Sequence, residues 1–202
     1  MGWYGVNKKQ LQSEQTKKRV VEAARILFAQ KGYKATSIED IVAATGSSKG
    51  NLYYHFKSKE GLFLYLIDEW DREWEEKWQE KEPLYKTTTE KLYGFAELLV
   101  HDDLNHPLTK AADEFFNSED KTTEVEERVS ELVDRHLQWN QRLIQQGIDN
   151  GEFRQGSARE HAVTLESLLI GLSQMSRKKS PDEILELYKQ AMKVFLYGIA
   201  DN

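Results

Sequence analysis

Apolar positions recur at helical spacing along nearly the whole chain, and no stretch alternates with the period of two that a half-buried strand would show. Val20, Val21, Ala24, Leu27 and Phe28 make the stripe of a helix over about 16–31, with Gly32 where a C-terminal glycine is expected. Ser37, followed three residues later by Asp40, opens a second helix with Ile38, Ile41 and Val42 inward. Gly46 supplies a tight turn. Ser47 or Ser48 caps a third helix of about two turns that ends near Tyr54, oriented inward by Leu52 and Phe56. Ser58 caps a fourth helix from Lys59 to about Lys81, along which Leu62, Phe63, Leu66, Ile67, Trp70, Trp74 and Trp78 recur before Pro83 ends it.

Thr87 with Glu90 opens a helix to about His101, with Leu92, Phe95, Ala96, Leu99 and Val100 inward. Pro107 suits the start of a short helix containing Leu108, Ala111, Ala112, Phe115 and Phe116, and residues 117–121 read as a loop. Thr123 with Glu126 opens a seventh helix, which Asn150-Gly151 stops; Ser157 with Glu160 caps an eighth. Ser180-Pro181-Asp182-Glu183 starts a ninth, with proline at the first position and acids in the first turn. The expected fold is all-α with about nine helices. Residues 1–15, polar and without periodicity, are expected to be an N-terminal arm or tail, with Lys8 and Lys9 able to touch phosphates.

The second and third helices, joined at Gly46, have the layout of a helix-turn-helix, whose second helix enters the DNA major groove. Lys49 can donate to guanine O6 and N7, and Asn51 can read an adenine edge. Gly50 allows close backbone approach, and Tyr53 can pack on a thymine methyl or bond a phosphate. Thr36, Ser37, Ser48, Tyr54, His55 and Lys59 are the phosphate candidates. Charge agrees with this assignment. The net −6 hides a split: residues 1–60 hold 11 Lys and Arg against 5 Asp and Glu, leaving 17 against 29 for residues 61–202. The first part suits a polyanion and the second would be repelled by one.

Composition removes several alternatives. There is no cysteine among the 202 residues, hence no disulfide, thiolate metal site or cysteine nucleophile, which fits a reducing cytoplasm. No apolar run reaches the length of a signal peptide or a membrane span, so a cytoplasmic protein without membrane contact is expected. No nucleophile elbow, phosphate-cradling glycine loop or zinc-protease motif occurs, and no enzyme or cofactor is expected. His101 and His106 lie five apart before Pro107 with no third ligand fixed by a motif, so a polar loop is the favoured reading over a metal site. His136 falls on an apolar stripe and reads as a hydrogen-bonded core histidine.

Residues 17–67 resemble the DNA-binding domain of the TetR (tetracycline-repressor) family. The resemblance is carried by the run Ala23-Ala24-Arg25-Ile26-Leu27-Phe28, then Lys31-Gly32-Tyr33, Thr36-Ser37-Ile38, Ile41-Val42, Gly46 and Ser48-Lys49-Gly50. It continues through Leu52-Tyr53-Tyr54-His55-Phe56 and Lys59-Glu60-Gly61-Leu62, with a local echo at Gly147–Phe153. The resemblance implies an N-terminal helix-turn-helix DNA-binding domain (16–60) and a ligand-sensing and dimerisation domain (61–202). It implies a sequence-specific regulator, a repressor released from a pseudo-palindromic double-stranded operator by a small-molecule ligand. It implies that the DNA-facing residues above meet DNA, that a cavity is bounded by the fourth to seventh helices, and that the last two helices form a homodimer interface. Trp70, Trp74, Tyr93, Phe115, Phe116 and Trp139 are the ligand candidates; with Glu69, Glu73, Asp113 and Glu114 near them in sequence, a cationic amphiphile would suit such a site. The eighth and ninth helices are also richer in Leu, Met and aromatics than one face requires, and so short a recognition helix favours two copies on one site. The competing readings are a helical ligand carrier or enzyme that keeps a helix-turn-helix as scaffold, and a structural DNA-binding protein without sequence preference. The polar recognition helix and the charge split argue against the first, and the acidic second part against the second.

Overall fold

The computed structural model describes residues 8–118, 122–176 and 179–199. Among them are nine α-helices and no β-strand: α1 Lys8–Lys31, α2 Ile38–Thr45, α3 Lys49–Phe56, α4 Lys59–Lys81, α5 Thr88–Leu98, α6 Thr109–Phe116, α7 Thr123–Asp149, α8 Ala158–Ser176 and α9 Pro181–Ile199. The all-α expectation is met. The predicted caps account for most boundaries, since Ser37 with Asp40 and Thr87 with Glu90 both close reciprocal capping boxes. Ser180 and Glu183 do the same at α9. At α7 the hydroxyl that accepts the Val125 amide belongs to Thr122, one residue before the predicted opening.

Three boundaries differ from expectation. α1 begins at Lys8 instead of 16; residues 1–7 and the side chains of Lys8 and Lys9 lie outside the description, so the phosphate role read for those lysines is not addressed. α5 stops at Leu98 and passes into a π turn, Leu99–Asp103, steadied by Asn105 Nδ2 donating to the Val100 carbonyl at 2.8 Å. The chain also divides into two compact units differently from the expected boundary near residue 60. Residues 1–72 and 107–125 form one unit, and 73–106 and 126–202 the other, so the chain crosses between them three times.

The first unit is built on an aromatic core. Phe28 of α1, Tyr33, Phe63 of α4 and Phe115 of α6 pack with ring centroids 4.9–5.8 Å apart. Val20, Ala24, Ile41, Leu52 and Leu62 fill the space around them, each fully buried. Glu114 fastens α6 to the turn after α1 by accepting the Lys34 amide at 2.9 Å, and Arg25 braces α1 to α4 through Glu69, also at 2.9 Å.

In the second unit α5 and α8 both pack on α9, and Leu92, Phe95, Leu98, Ile144, Leu165, Tyr188 and Met192 form the centre of the core. The turn after α7 is held in two ways. The Phe153 amide returns to the Gly147 carbonyl at 2.9 Å and its ring sits against Gly147, leaving no room for a Cβ there. The Glu152 carboxylate accepts the Thr88 and Thr89 amides at 2.8 and 3.0 Å, capping α5.

Burial alone would raise the Glu152 pKa, but these amide hydrogen bonds, with those from Thr88 and Asn150 side chains, hold it below its ordinary value. A depressed folded-state pKa means that the stabilisation is complete above the unfolded carboxylate value of about 4.3 and disappears as pH falls through the folded value. Denaturant titrations should therefore find Glu152→Gln less stable than wild type at pH 7, with the gap closing below about pH 4. Gly147→Ala should cost about 1–3 kcal/mol in the same assay, as overpacking does.

Candidate nucleic-acid interface

The local sequence explains why α2 and α3 meet as they do. Ser37 Oγ accepts the Asp40 amide at 3.1 Å and the Asp40 carboxylate takes back the Ser37 amide at 3.0 Å. The Ser37 amide and the Ser37 hydroxyl, which also donates to the Asp40 carboxylate at 2.9 Å, together with Lys31 nearby, hold the Asp40 pKa down at about 2. Gly46 ends α2 at φ 63, a conformation glycine reaches without strain, and Ser48 caps α3 by accepting the Asn51 amide at 3.2 Å. Leu52 and Phe56 are buried, which turns the opposite face of α3 to solvent. That face carries Lys49, Gly50, Asn51, Tyr53 and Tyr54, the last of them 79% exposed. A helix of eight residues is about 12 Å long, enough to cross one groove.

Gly50 is informative because nothing in the protein asks for it. A Cβ there would meet only Ser48 Oγ, at 3.8 Å, and the backbone is ordinary helix. Gly50 is the second residue of α3, so its small size leaves the backbone of the first turn open to close approach. Lys49 Nζ donates to Glu39 on α2, a partner not anticipated from sequence. α3 ends in a second unanticipated feature: Lys57 adopts φ 64, ψ −42, and the Ser58 amide bonds the Phe56 carbonyl at 2.7 Å, which makes a tight three-residue γ-turn into α4.

Several predicted phosphate contacts are committed inside the unit. Thr36 is 1% exposed and its hydroxyl donates to the Gly32 carbonyl at 2.7 Å, so its side chain is not on the surface as expected. Lys59 Nζ donates to the carbonyls of Tyr33 and Thr36 at 3.1 and 3.2 Å and lies 4.2 Å from the centre of the Tyr33 ring, again contrary to the expected phosphate role. The reason in both cases is that the unpaired carbonyls between α1 and α2 need donors, and these side chains supply them. Ser37 and Ser48 hydroxyls are engaged as caps, and His55 Nε2 lies 3.3 Å from Ser13 Oγ on α1.

The predicted ligand residues do not gather in one place. Trp70, Phe115 and Phe116 fall in the first unit, and Phe115 is fully enclosed by Tyr33 and Phe63. Glu69 is paired with Arg25 and Glu114 with the Lys34 amide, so two of the four acids expected beside the aromatics are used within the first unit, and Glu73 belongs to the second. Trp74 and Trp139 do come together in the second unit, joined there by Trp78 and Phe95, which the helical spacing marks as inward but not as ligand candidates, and by Tyr85. Trp78 was recoverable, being one helical turn beyond Trp74. Tyr93 packs at the edge of the same core. A cleft of about 490 Å³ opens beside the cluster, lined by Glu75, Trp78, Gln79, Glu82, Trp139, Arg142, Leu143 and Gln146. The Trp74 indole N–H, in the aromatic cluster and not on the cleft wall, is buried with no hydrogen-bond acceptor. Glu82 is balanced by Lys91 at 2.8 Å.

Among the described residues no group of three metal-ligating side chains occurs, and no helix is long and apolar enough to cross a membrane. The side chain of His136, expected in the core, is 52% exposed, with Nδ1 3.7 Å from Glu166 Oε1.

Residues 20–66 match the family described as bacterial regulatory proteins, tetR family, and residues 70–201 match the QacR-like protein C-terminal region. The HTH-type transcriptional regulator QacR of Staphylococcus aureus is 30% identical over 184 residues, covering 91% of this chain and 98% of QacR. The HTH-type transcriptional repressor AcnR of Corynebacterium glutamicum is 39% identical over 54 residues, which is 27% of this chain and 29% of AcnR. Among solved structures, a transcriptional regulator of Saccharomonospora viridis in complex with choline superposes with a TM-score of 0.75 at 22% identity, covering 94% of this chain and 100% of that one. The transcriptional regulator FadR of Bacillus subtilis in complex with stearoyl-CoA gives 0.72 at 19% identity, covering 90% and 98%. At such identities these two structures establish a common fold.

Two substitutions separate the exposed face of α3 from its supports. Gly50→Ala, an exposed first-turn change, should leave stability within about 0.5 kcal/mol while weakening DNA binding. Lys59→Ala should instead lower stability, by about 1–3 kcal/mol, since it strips charged donors from two carbonyls. Chemical denaturation alongside duplex-binding titrations reads both.

Proposed function

The chain belongs to the tetR family of bacterial regulatory proteins and is a DNA-binding transcriptional regulator, and on that premise we propose how its parts divide the work. α3 lies in the major groove of a half-site, with Lys49, Gly50, Asn51 and Tyr53 at base edges and Tyr54, His55 and the capped N-termini of α2 and α3 on phosphates. The observation that carries this reading is Gly50, an exposed glycine in the first turn of α3 that no neighbour in the chain crowds. Protein and DNA meet in the cytoplasm, where the chromosome is.

The active form is a homodimer through α8 and α9. Supporting this, Val163, Ile170, Met175, Val194 and Tyr197 on these two helices are exposed apolar side chains, more than a helix pair closing its own core would leave to water. Two copies double the bases read and impose a two-fold operator with half-site centres about one helical turn, 34–36 Å, or a multiple of it apart.

The cleft beside Trp78 and Trp139 is the ligand site of the second unit. Its two indoles suit a flat or apolar body. The charges of Glu75 and Arg142 suit a polar end. Because Glu82 is already balanced by Lys91, the cleft does not demand a cation. Repression is relieved when a ligand binds one arrangement of the protein better than the other. Linkage then requires operator to weaken ligand binding by the factor by which ligand weakens operator binding.

Light scattering should report a dimer that Ile170→Glu converts to monomer, with operator affinity falling steeply. A ligand screened by quenching of tryptophan fluorescence should lose binding with Trp139→Ala and bind more weakly when operator is saturating. A monomer in the wild-type protein, or equal ligand affinity with and without operator, overturns the respective assignment.

A further inference from the structure

We infer that Glu39 is a specificity-determining residue of the DNA interface, which holds the Lys49 ammonium back from DNA lacking the matching base. The inference rests on the groove-facing role proposed for α3.

Glu39 is not needed where it stands. The N-terminus of α2 is completed by Ser37 and Asp40, whose reciprocal bonds close the capping box, and Asp40 also receives Lys31 Nζ at 3.2 Å. Glu39 instead turns outward, 64% exposed, onto Lys49 Nζ. Lys49 for its part is out of place by the usual rule. It is the first residue of α3, where the helix already carries partial positive charge and an acid is preferred, and the first turn of α3 has no acid. The neighbouring helix therefore supplies the negative charge that the first turn of α3 lacks.

Such a pair does little for the fold. Both side chains are more than half exposed, and ion pairs of this kind are weak in water. Its effect is on the encounter with DNA. A free lysine on a groove-facing helix strengthens binding to every sequence through the phosphates. A lysine engaged by a carboxylate adds less, and the carboxylate itself is repelled by the backbone. Guanine O6 and N7 offer Lys49 two acceptors in place of Glu39, so the exchange is close to balanced at the matching base and unfavourable elsewhere. Discrimination then comes from penalising the wrong partner, not only from rewarding the right one.

The test compares the full chain with Glu39→Gln, Lys49→Ala and the double variant. Each is titrated against a duplex pool of randomised sequence and against the duplex that the wild-type protein selects from that pool. Thermal melts confirm folding, and Glu39→Ala serves as a second removal of the charge. Glu39→Gln should tighten binding to the randomised pool about tenfold more than binding to the selected duplex, and steepen the salt dependence on the pool by about one unit of slope. In the Lys49→Ala background the same change should shift pool affinity less than about twofold. Equal tightening with and without Lys49 would show that Glu39 acts only as a distant charge, and an unchanged ratio of selected to pool affinity would show no role in specificity; either result overturns the inference while leaving the groove-facing assignment of α3 intact. If the wild-type protein selects no sequence, that assignment fails first and the inference with it.

Discussion

Tyr33 is the contact on which the N-terminal unit depends. Its ring packs against Phe28, Phe63 and Phe115, which belong to α1, α4 and α6. Its hydroxyl donates to Glu60 at 3.0 Å, and burial, reinforced by that carboxylate, pushes the phenol pKa well up, so it stays a donor. Lys59 lies over the ring and binds the backbone carbonyls of Tyr33 and Thr36. Those carbonyls precede α2, whereas Lys59 begins the helix that follows α3. The helix-turn-helix is thus clamped at both ends by the same small group of side chains. The exposed face of α3 is set by this clamp and by the burial of Leu52 and Phe56, not by α3 itself, which is too short to hold a helical conformation alone.

What could be read from sequence was what local chemistry decides. α2 and α3 fall where Ser37, Asp40, Gly46 and Ser48 place them, because capping bonds join residues three apart and need no tertiary knowledge. The start of α1 was not readable, since residues 8–15 are polar and aperiodic. In the fold the added turns of α1 bring Ser13 within hydrogen-bond distance of His55, forty-two residues on. Phe115 was correctly seen as inward-facing, but periodicity names a face without naming what it meets. Lys59 shows the same limit: its charge and position at a helix start suit a phosphate equally well, and only the fold reveals two orphan carbonyls within its reach. Glu39 went unnoticed because its partner lies across a turn at no fixed sequence offset.

The second unit shows a different economy. Its aromatic cluster combines close packing with an incomplete polar account: Trp74 and Trp78 stack in parallel with Trp139 across them, yet the Trp74 N–H is left without an acceptor. A buried donor left unmet costs about 1–3 kcal/mol. Asn140 Oδ1 and Ser176 Oγ in the same unit are likewise buried without a partner, whereas one carboxylate, Glu152, receives two successive backbone amides.

The insertion of residues 107–125 into the N-terminal unit bears on how the chain is made. A ribosome delivers Tyr33 and Phe63 well before Phe115, at about 5–20 residues per second. Until the later segment emerges, the two rings have an open apolar side where Phe115 will lie, and the Lys34 amide lacks the Glu114 carboxylate. The DNA-reading part of the molecule therefore cannot finish its core as a free-standing nascent domain. It must wait for chain that has first passed through 73–106, part of the other unit. Vectorial synthesis thus makes completion of the reading head conditional on that intervening stretch having been translated.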